Sequence, residues 1–417
     1  MSAEKQLLII GYVWPESRSS AAGGRMMELI HCFRSTGWQI TFASPAQLSD
    51  HMDDLAALNI PTQGITLNCS SFDRYITQLQ PDMVLFDRFM MEEQFGWRVA
   101  KACPDALRLL ETSDLHCLRN ARQLALKQQR EITEADIKSD MALREIASIY
   151  RCDLTLMISD YEMQLLQDTF GVPAALLHHL PFMINPAPLD APVPGFNARQ
   201  HFMTIGNFRH EPNWDAVRYL KEQVWPLIRK QLPKAQLHIY GAYPPPKATQ
   251  LHNEKQGFLV KGWADDAHTV MRDARVCLAP LRFGAGIKGK LADAMLDGTP
   301  NVTTAIGAEG MHTGMDWSGL LGDTPQQLAD AAVELYQNEA LWQQKQLQGF
   351  AIIRQLYNPQ PLGEALIARI EAVYGNLAQH RLANFTGMML NHHHQRSTQF
   401  MSQWIEVKTR LAELDVS

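Results

Sequence analysis

Apolar runs of strand length alternate with amphipathic runs of helix length through the first half of the chain. The apolar runs are QLLIIGYV (6–13), WQITFAS (38–44), DMVLFD (82–87), ALRLLE (106–111) and DLTLMIS (153–159). Strands that read as continuously apolar are typical of sheets covered on both faces. With helical segments such as GRMMELIHCFRSTG (24–37) between them, these runs predict a parallel sheet between two layers of helices.

A proline-rich stretch ends this rhythm, and a second alternation follows it. Residues 180–200 contain five prolines and are typical of a linker. Apolar runs resume at 201–206, 235–241, 257–262, 275–280 and 300–304, and the pattern turns helical from about 324, with a long segment near 392–414. We therefore predict an α/β protein with two doubly wound Rossmann-like domains facing each other across a cleft. The predicted units are 1–180, a hinge at 181–200, a second domain at 201–360 and C-terminal helices at 361–417.

Composition narrows the choice of partners and compartment. The 417 residues are enough for two or three domains, and the net charge of −6 gives no global attraction for nucleic acid. The six cysteines form no CxxC pair, and no apolar run approaches the ~20 residues of a membrane span. We expect a reduced, cytoplasmic protein that has no signal peptide and binds no nucleic acid.

The stretch PLRFGAGIKGKLADAM (280–295) has the character of an anion-binding loop. It places glycines and lysines between an apolar run and a helix start, where backbone N–H groups and the helix dipole attract negative charge. Gly284, Gly289 and Lys290 have the spacing of a P-loop, but Leu291 stands where a P-loop needs the Ser or Thr that holds Mg²⁺. The simpler alternative is a glycine-rich turn with two solvated lysines.

A second polar cluster, ETSDLHCLRN (111–120), follows an apolar run of the first domain. Asp114, His116 and Arg119 lie within six residues, and strand ends that open into a cleft are where ligands bind. The structural alternative is a helix start in which Thr112, Ser113 or Asp114 is the N-cap. That alternative accounts for Asp114 and leaves His116 unexplained.

Residues 280–311 resemble the donor-binding segment of the family 4 glycosyltransferases of GT-B fold. GNFRHEPNWDAVRYL (206–220) resembles the opening of their second domain, and residues 12–29 resemble their N-terminal glycine loop more weakly. The resemblance implies that Lys288, backbone N–H groups near Gly286 and Ile287, and a helix start bind the diphosphate of a nucleotide sugar. The other donor-binding positions that it implies are Gly23, Gly24, Gly206, Asn207, Arg209, Gly284, Lys290, Asp293 and Glu309.

The same resemblance assigns a reaction. It implies a hexosyltransferase that retains the anomeric configuration, with the nucleotide-diphosphate sugar as substrate, no tightly bound cofactor and no obligatory metal. His116 resembles the family's histidine beside the transferred sugar, Asp114 belongs to the same catalytic cluster, and Arg119 is a candidate for the acceptor or a phosphate. The acceptor is a glycan, a lipid-linked molecule or a protein, as in polysaccharide biosynthesis. The GT-B fold also implies a C-terminal helix that crosses back to the first domain.

Two departures from the family pattern leave an alternative open. The first glutamate of the family's paired-glutamate pattern falls on Ala285, and the second is shortened to Asp293. The basic residues usual after the second domain's first strand are absent, with Arg209 as a candidate substitute. A non-catalytic nucleotide-sugar-binding module on the same fold is therefore the competing interpretation.

Two smaller signals concern membranes and metals. The basic segment 119–138 is compatible with a solvated helix or with peripheral contact at the inner face of a membrane. Three adjacent histidines (392–394) on a helix point about 100° apart and cannot share one ion, so no metal site is predicted. The sequence leaves the sugar, the base and the oligomeric state open.

Overall fold

The computed structural model describes residues 5–415, apart from the side chains of 393–396 and 413–415. The first domain is built on a seven-stranded parallel sheet of order β3-β2-β1-β4-β5-β6-β7. Its strands are β1 (Gln6–Ile10), β2 (Gln39–Ser44), β3 (Thr62–Gly64), β4 (Met83–Asp87), β5 (Leu107–Glu111), β6 (Leu154–Met157) and β7 (Leu177–His179). The five predicted strands are all present, and the two that the pattern missed, β3 and β7, are three-residue edge strands.

The second domain is built on a six-stranded parallel sheet of order β10-β9-β8-β11-β12-β13. Its strands are β8 (Gln200–Ile205), β9 (Leu237–Tyr240), β10 (Phe258–Gly262), β11 (Ala274–Ala279), β12 (Asn301–Thr303) and β13 (Gly319–Leu321). Only β13, again a three-residue edge strand, lacks a counterpart among the predicted runs. The two doubly wound sheets confirm the predicted fold class.

Helices cover both faces of each sheet. In the first domain they are α1 (Ala21–Ser35), α2 (Ser71–Leu79), α3 (Phe89–Ala102), α4 (His116–Lys127), α5 (Glu134–Ile137), α6 (Asp140–Arg151) and α7 (Asp160–Phe170). In the second domain they are α8 (Glu211–Tyr219), α9 (Trp225–Gln231), α10 (Pro246–Thr249), α11 (Ala267–Asp273), α12 (Gly289–Leu296), α13 (Ala305–Ala308), α14 (Pro325–Gln337) and α15 (Glu339–Leu356). A π-helical turn (Leu220–Val224) joins α8 to α9.

Alternate residues of one strand enter different apolar cores, which explains the continuously apolar runs. Leu8 and Ile10 of β1 lie in the core on one face of the first sheet. Leu7 and Ile9 lie in the core on the other face. Burial of both faces selects apolar residues at every strand position.

The last helices, α16 (Pro359–Tyr374), α17 (Leu377–Ala383) and α18 (Phe385–Asp415), contact the first domain. Leu366 and Ile370 of α16 belong to the same apolar core as β1. Ser402 of α18 accepts a hydrogen bond from Arg98 of α3 at 2.9 Å. Within the described part of the chain, no helix is long and apolar enough to cross a membrane. The exact domain boundaries stay a prediction.

The proline-rich linker is fixed to the second domain at its end. It contains two 3-10 turns, Ala187–Asp190 and Phe196–Ala198. The fully buried Arg199 then donates to the hydroxyl of Thr299 at 2.6 Å and to the carbonyl of Asp297 at 2.7 Å. These bonds set where β8 starts.

Candidate active site

The site forms where the strand order of each sheet reverses. In the first sheet this switch lies between β1 and β4, and in the second between β8 and β11. Loops that follow such strands leave in opposite directions and open a crevice at the carboxyl edge of the sheet. The predicted glycine loops follow β1 and β11, so the topology explains why both meet at the cleft.

Two helix N-termini, one from each domain, meet in this crevice. A Cβ added at Gly289, the first residue of α12, would lie 2.6 Å from the Cβ of Ala21, the first residue of α1. The hydroxyl of Ser20 accepts the N–H of Gly23 at 3.0 Å, and a Cβ at Gly23 would lie 2.3 Å from the carbonyl oxygen of Glu16. Gly23 thus shapes the loop, whereas a Cβ at Gly24 would lie 4.0 Å from the carbonyl oxygen of Ser17, an ordinary contact.

The glycine loop of the second domain packs directly on the polar cluster of the first. Gly286 has a φ of 62°, and a Cβ there would lie 2.9 Å from the Cβ of Asp114. Ile287 shares an apolar cluster with Ile158 of the first domain. The carbonyl of Gly284 accepts from Arg122 of α4 at 2.9 Å. Only glycine allows the loop to approach so closely at position 286.

Both lysines of the loop are withdrawn from solvent. Lys288 is 8% exposed, donates to the carbonyl of Gly286, and lies near the carboxylates of Glu309 and Glu162. Burial lowers the pKa of Lys288, against the opposing effect of those carboxylates. The two solvated lysines of the simpler interpretation are therefore absent, and a buried cation lies beside the start of α12.

Lys290 is held within the second domain. Its ammonium donates to Asn213 Oδ1 at 2.7 Å, and burial lowers its pKa to about 8. A Cβ at Gly206 would lie 2.6 Å from Asn213 Nδ2 and 2.8 Å from Lys290 Nζ. Gly206 is thus brought to Lys290, which lies two residues after Lys288 but has different partners.

Asp114, His116 and Arg119 form one cluster on the first domain. His116 Nε2 lies 3.4 Å from Asp114 Oδ1, and Arg119 donates to Asp114 Oδ2. Burial lowers the pKa of His116 to about 4, so the imidazole is neutral near pH 7. Burial acts to raise the pKa of Asp114, but Arg119 and His116 outweigh it and bring it to about 2.

The structural alternative for this cluster, an N-cap at Thr112, Ser113 or Asp114, is wrong. The cap position of α4 is Leu115, with no side-chain cap of its own, rather than Thr112, Ser113 or Asp114. The carboxylate of Glu145 accepts the N–H groups of His116 and Cys117, each at 2.9 Å. A distant acid thus satisfies the helix start, which leaves Asp114 to interact with His116 and Arg119.

The two predicted donor-binding acids are each engaged by other side chains of the protein. Both oxygens of Glu309 accept from Arg122 at 2.7 Å. Asp293 lies beside His268 and Asp297, and burial raises the pKa of Asp293 to about 6. Glu309 therefore links the domains, while Asp293 sits in a separate acidic cluster of α12.

Asn207 and Arg209 lie at the rim of the cleft. Asn207 Oδ1 accepts the N–H of Arg209 at 2.9 Å, and the guanidinium of Arg209 stacks 3.6 Å from the ring centre of Tyr243. The Tyr243 hydroxyl donates to the carboxylate of Glu16 in the first domain, 3.1 Å from Oε1. Arg209 contributes to this bridge between the domains rather than to the lysine pair.

Sequence reasoning missed several residues of the site. Glu162 accepts the N–H of Gly286 at 2.7 Å, Arg122 joins the domains, and Asn213 holds Lys290. A signal existed for Glu162 alone, because Ser159 and Glu162 have the spacing of a capping box. Ser159 does accept the N–H of Glu162, but the Glu162 side chain turns away to the glycine loop.

The basic segment 119–138 divides its charges among ion pairs. Within this segment α4 ends at Lys127. Four of its basic residues form the ion pairs Arg119–Asp114, Arg122–Glu309, Arg130–Asp136 and Lys138–Glu134. Among the described residues, no group of three His, Cys, Asp or Glu side chains could hold a metal ion. The side chains of His393 and His394 lie outside the described residues.

The chain resembles known proteins in sequence and in fold. Residues 199–338 match the family model "Glycosyl transferases group 1". Sucrose-phosphate synthase from Thermosynechococcus elongatus is 15% identical, with 89% of this chain and 100% of that chain covered at a TM-score of 0.66. HepE from Anabaena, solved with UDP and glucose, is 11% identical, with coverages of 88% and 99% and a TM-score of 0.64.

The chain has a GT-B fold. A glycosyltransferase from Rickettsia africae gives the same result, with a TM-score of 0.66, 10% identity and coverages of 89% and 99%. No curated protein matches the chain in sequence. The resemblance noted at 206–220 and 280–311 is confirmed at the level of group 1, since both stretches lie within the matched segment. The narrower placement in family 4 stays a prediction.

Proposed function

We propose that this GT-B protein is a retaining glycosyltransferase that moves a hexose from a nucleotide-diphosphate sugar to an acceptor hydroxyl. The observation that carries the proposal is the meeting of two helix N-termini, at Ala21 and Gly289, with the buried ammonium of Lys288 beside them. Helix N-termini and a buried cation favour a diphosphate, and they act most strongly on charge that develops as the leaving group departs. The group 1 match and a GT-B neighbour solved with UDP-glucose support the same substrate class.

The chemistry requires no carboxylate base in this proposal. The bond between the anomeric carbon and the diphosphate oxygen breaks, and the acceptor oxygen bonds to the same face of that carbon. The departing phosphate oxygen takes the acceptor's proton. His116, neutral because burial lowers its pKa to about 4, orients the sugar by hydrogen bonding, while Asp114 holds the imidazole and Arg119 in place.

The acceptor is proposed more broadly, as a glycan, a lipid-linked molecule or a protein. WaaG, a structural neighbour at 11% identity with a TM-score of 0.58, is a glycosyltransferase involved in lipopolysaccharide biosynthesis. Polysaccharide biosynthesis is thus the proposed setting, and peripheral membrane contact stays a prediction.

Release of nucleoside diphosphate from a panel of UDP-, GDP- and ADP-sugars tests the proposal. Nucleotide binding is measured in parallel by calorimetry. Binding with release supports the transferase. Binding without release, with acceptor glycans present, identifies a non-catalytic binding module instead, and the absence of binding across the panel overturns both.

A further inference from the structure

Glu162 of α7 is fully buried at the point where the two domains touch. Its Oε1 accepts the N–H of Leu115 at 3.1 Å from its own domain. The same oxygen accepts the N–H of Gly286 at 2.7 Å from the glycine loop of the other domain. Its Oε2 is buried and has no hydrogen-bond partner among the residues that the structure describes. This carboxylate is therefore held by one oxygen only.

Burying a carboxylate oxygen without a partner costs free energy, so the position of Glu162 needs an explanation. A buried carboxylate oxygen without a partner loses its hydration and gains nothing in return. Burial raises the pKa of Glu162 to about 8, and nearby Asp114 acts in the same direction, while Lys288 opposes them, so the anionic form prevails above that pH. The cation of Lys288 is thus shared between Glu162 and Glu309.

The amide that Glu162 occupies is one that the resemblance assigns to the donor. A carboxylate oxygen and a phosphate oxygen are the same kind of acceptor for a glycine N–H in an anion-binding loop. Lys288 lies close to the Glu162 carboxylate, as it would to a bound phosphate. The protein therefore places its own anion where a substrate anion fits.

We propose that Glu162 is an internal competitor of the donor, occupying the phosphate position at the N–H of Gly286 in the closed cleft until the diphosphate displaces it. The inference rests on the proposed function and goes beyond it, since it assigns to Glu162 the control of donor affinity. Displacement moves the carboxylate from Gly286 but leaves its bond to the N–H of Leu115. The charge therefore stays near the diphosphate and weakens its binding.

Glu145 provides a matched control. It too is a buried carboxylate that caps the start of α4, through the N–H groups of His116 and Cys117. Its hydrogen bonds stay inside the first domain. Replacing Glu145 by glutamine changes the charge of a cap without touching the glycine loop.

The test is the dissociation constant of UDP, GDP and ADP, measured by calorimetry for the parent, Glu162→Gln and Glu145→Gln. The comparison is made at pH 8.5, above the raised pKa of Glu162, where glutamine keeps an acceptor for both amides and removes the charge. We expect Glu162→Gln to bind the preferred nucleotide roughly tenfold more tightly, while Glu145→Gln stays within about twofold. A purely structural role of Glu162 cannot produce a gain in affinity.

Unchanged or weaker binding by folded Glu162→Gln overturns the inference. If circular dichroism shows that Glu162→Gln is unfolded, Glu162→Ala replaces it under the same expectation and the same refutation. Failure of the proposed function gives a different result, since no nucleotide then binds to the parent or to either variant. If the parent turns over the donor but Glu162→Gln binds nucleotide no more tightly, the competitor role is refuted and the proposed function stands.

Discussion

Arg122 and Glu309 bind each other through two parallel hydrogen bonds, each 2.7 Å long, and so tie the first domain to the second. Both side chains are mostly buried, at 12% and 17% exposure. Arg122 also donates to the carbonyl of Gly284 in the glycine loop. Because Arg122 lies on α4, the helix that begins with His116, this pair couples closure of the cleft to the position of the histidine.

Replacing Arg122 by alanine is expected to open the cleft. The change leaves Glu309 without its partner and shifts the equilibrium toward the open arrangement by about 1–3 kcal/mol. The measurement is the radius of gyration from small-angle scattering, which should rise. The control is Lys138→Ala, which removes the exposed ion pair between Lys138 and Glu134 of α5. An equal change in both variants, or none in Arg122→Ala, contradicts the role of the pair.

Gly286→Ala is expected to prevent full closure. Its new Cβ would lie 2.9 Å from the Cβ of Asp114 and 3.1 Å from the carbonyl of Ser113. A displacement of about 1 Å in a catalytic arrangement costs roughly 100-fold in turnover. Gly314→Ala is the matched control, because Gly314 also has a positive φ, of 79°, but open space around its Cβ position.

Both glycine variants carry the same backbone strain of about 1 kcal/mol, so their melting temperatures should fall together. Only Gly286→Ala should lose turnover, measured as release of nucleoside diphosphate. If Gly314→Ala loses turnover to the same extent, strain rather than the contact with Asp114 explains the defect.

Sequence pattern predicted the central strands because both of their faces are buried, and it failed at the edges. β3 has exposed residues throughout and only three positions, so no apolar run marks it. The glycine loop was predicted from its composition, but Glu162 and Arg122 find their partners 124 and 187 residues away. The local N-cap considered as an alternative for α4 was wrong for the same reason, because Glu145 caps the helix from 28 and 29 residues away. Local sequence patterns cannot predict partners that lie so far away along the chain.

Glu28 is expected to make the protein less stable at alkaline pH. Burial raises the pKa of Glu28 to about 7, although its carboxylate accepts the N–H of Met183 at 2.8 Å. A raised pKa means that the native state favours the protonated acid. The stabilisation is fully present below the ordinary value of 4.5 and is lost as the pH rises through 7.

Glu28→Gln removes this loss and should be more stable than the parent by about 1–3 kcal/mol at pH 8.5, with little difference at pH 5. Urea denaturation at the two pH values measures the effect. Glu254→Gln, at a carboxylate that is 86% exposed, should show no such pH dependence. A difference between Glu28→Gln and the parent that is the same at both pH values refutes the assignment to Glu28.

Lys288→Ala is expected to lower turnover severely, and its environment predicts a cost in stability as well. The buried ammonium lies near Glu162 and near Glu309, which Arg122 also holds, so its removal leaves Glu162 above all less compensated. Loss of the charge that meets the leaving diphosphate should lower kcat by roughly 100-fold to 1000-fold. The comparison variant is Lys290→Ala, because Lys290 is equally withdrawn but bonds to Asn213 within its own domain.

The double variant Lys288→Ala with Glu162→Gln separates the two roles of the lysine. Removing the facing charge should recover much of the melting temperature lost in Lys288→Ala, because one uncompensated carboxylate disappears with it. Turnover should not return, since no cation then meets the diphosphate. If turnover recovers together with stability, Lys288 acts only by supporting the fold and has no part in stabilising the leaving group.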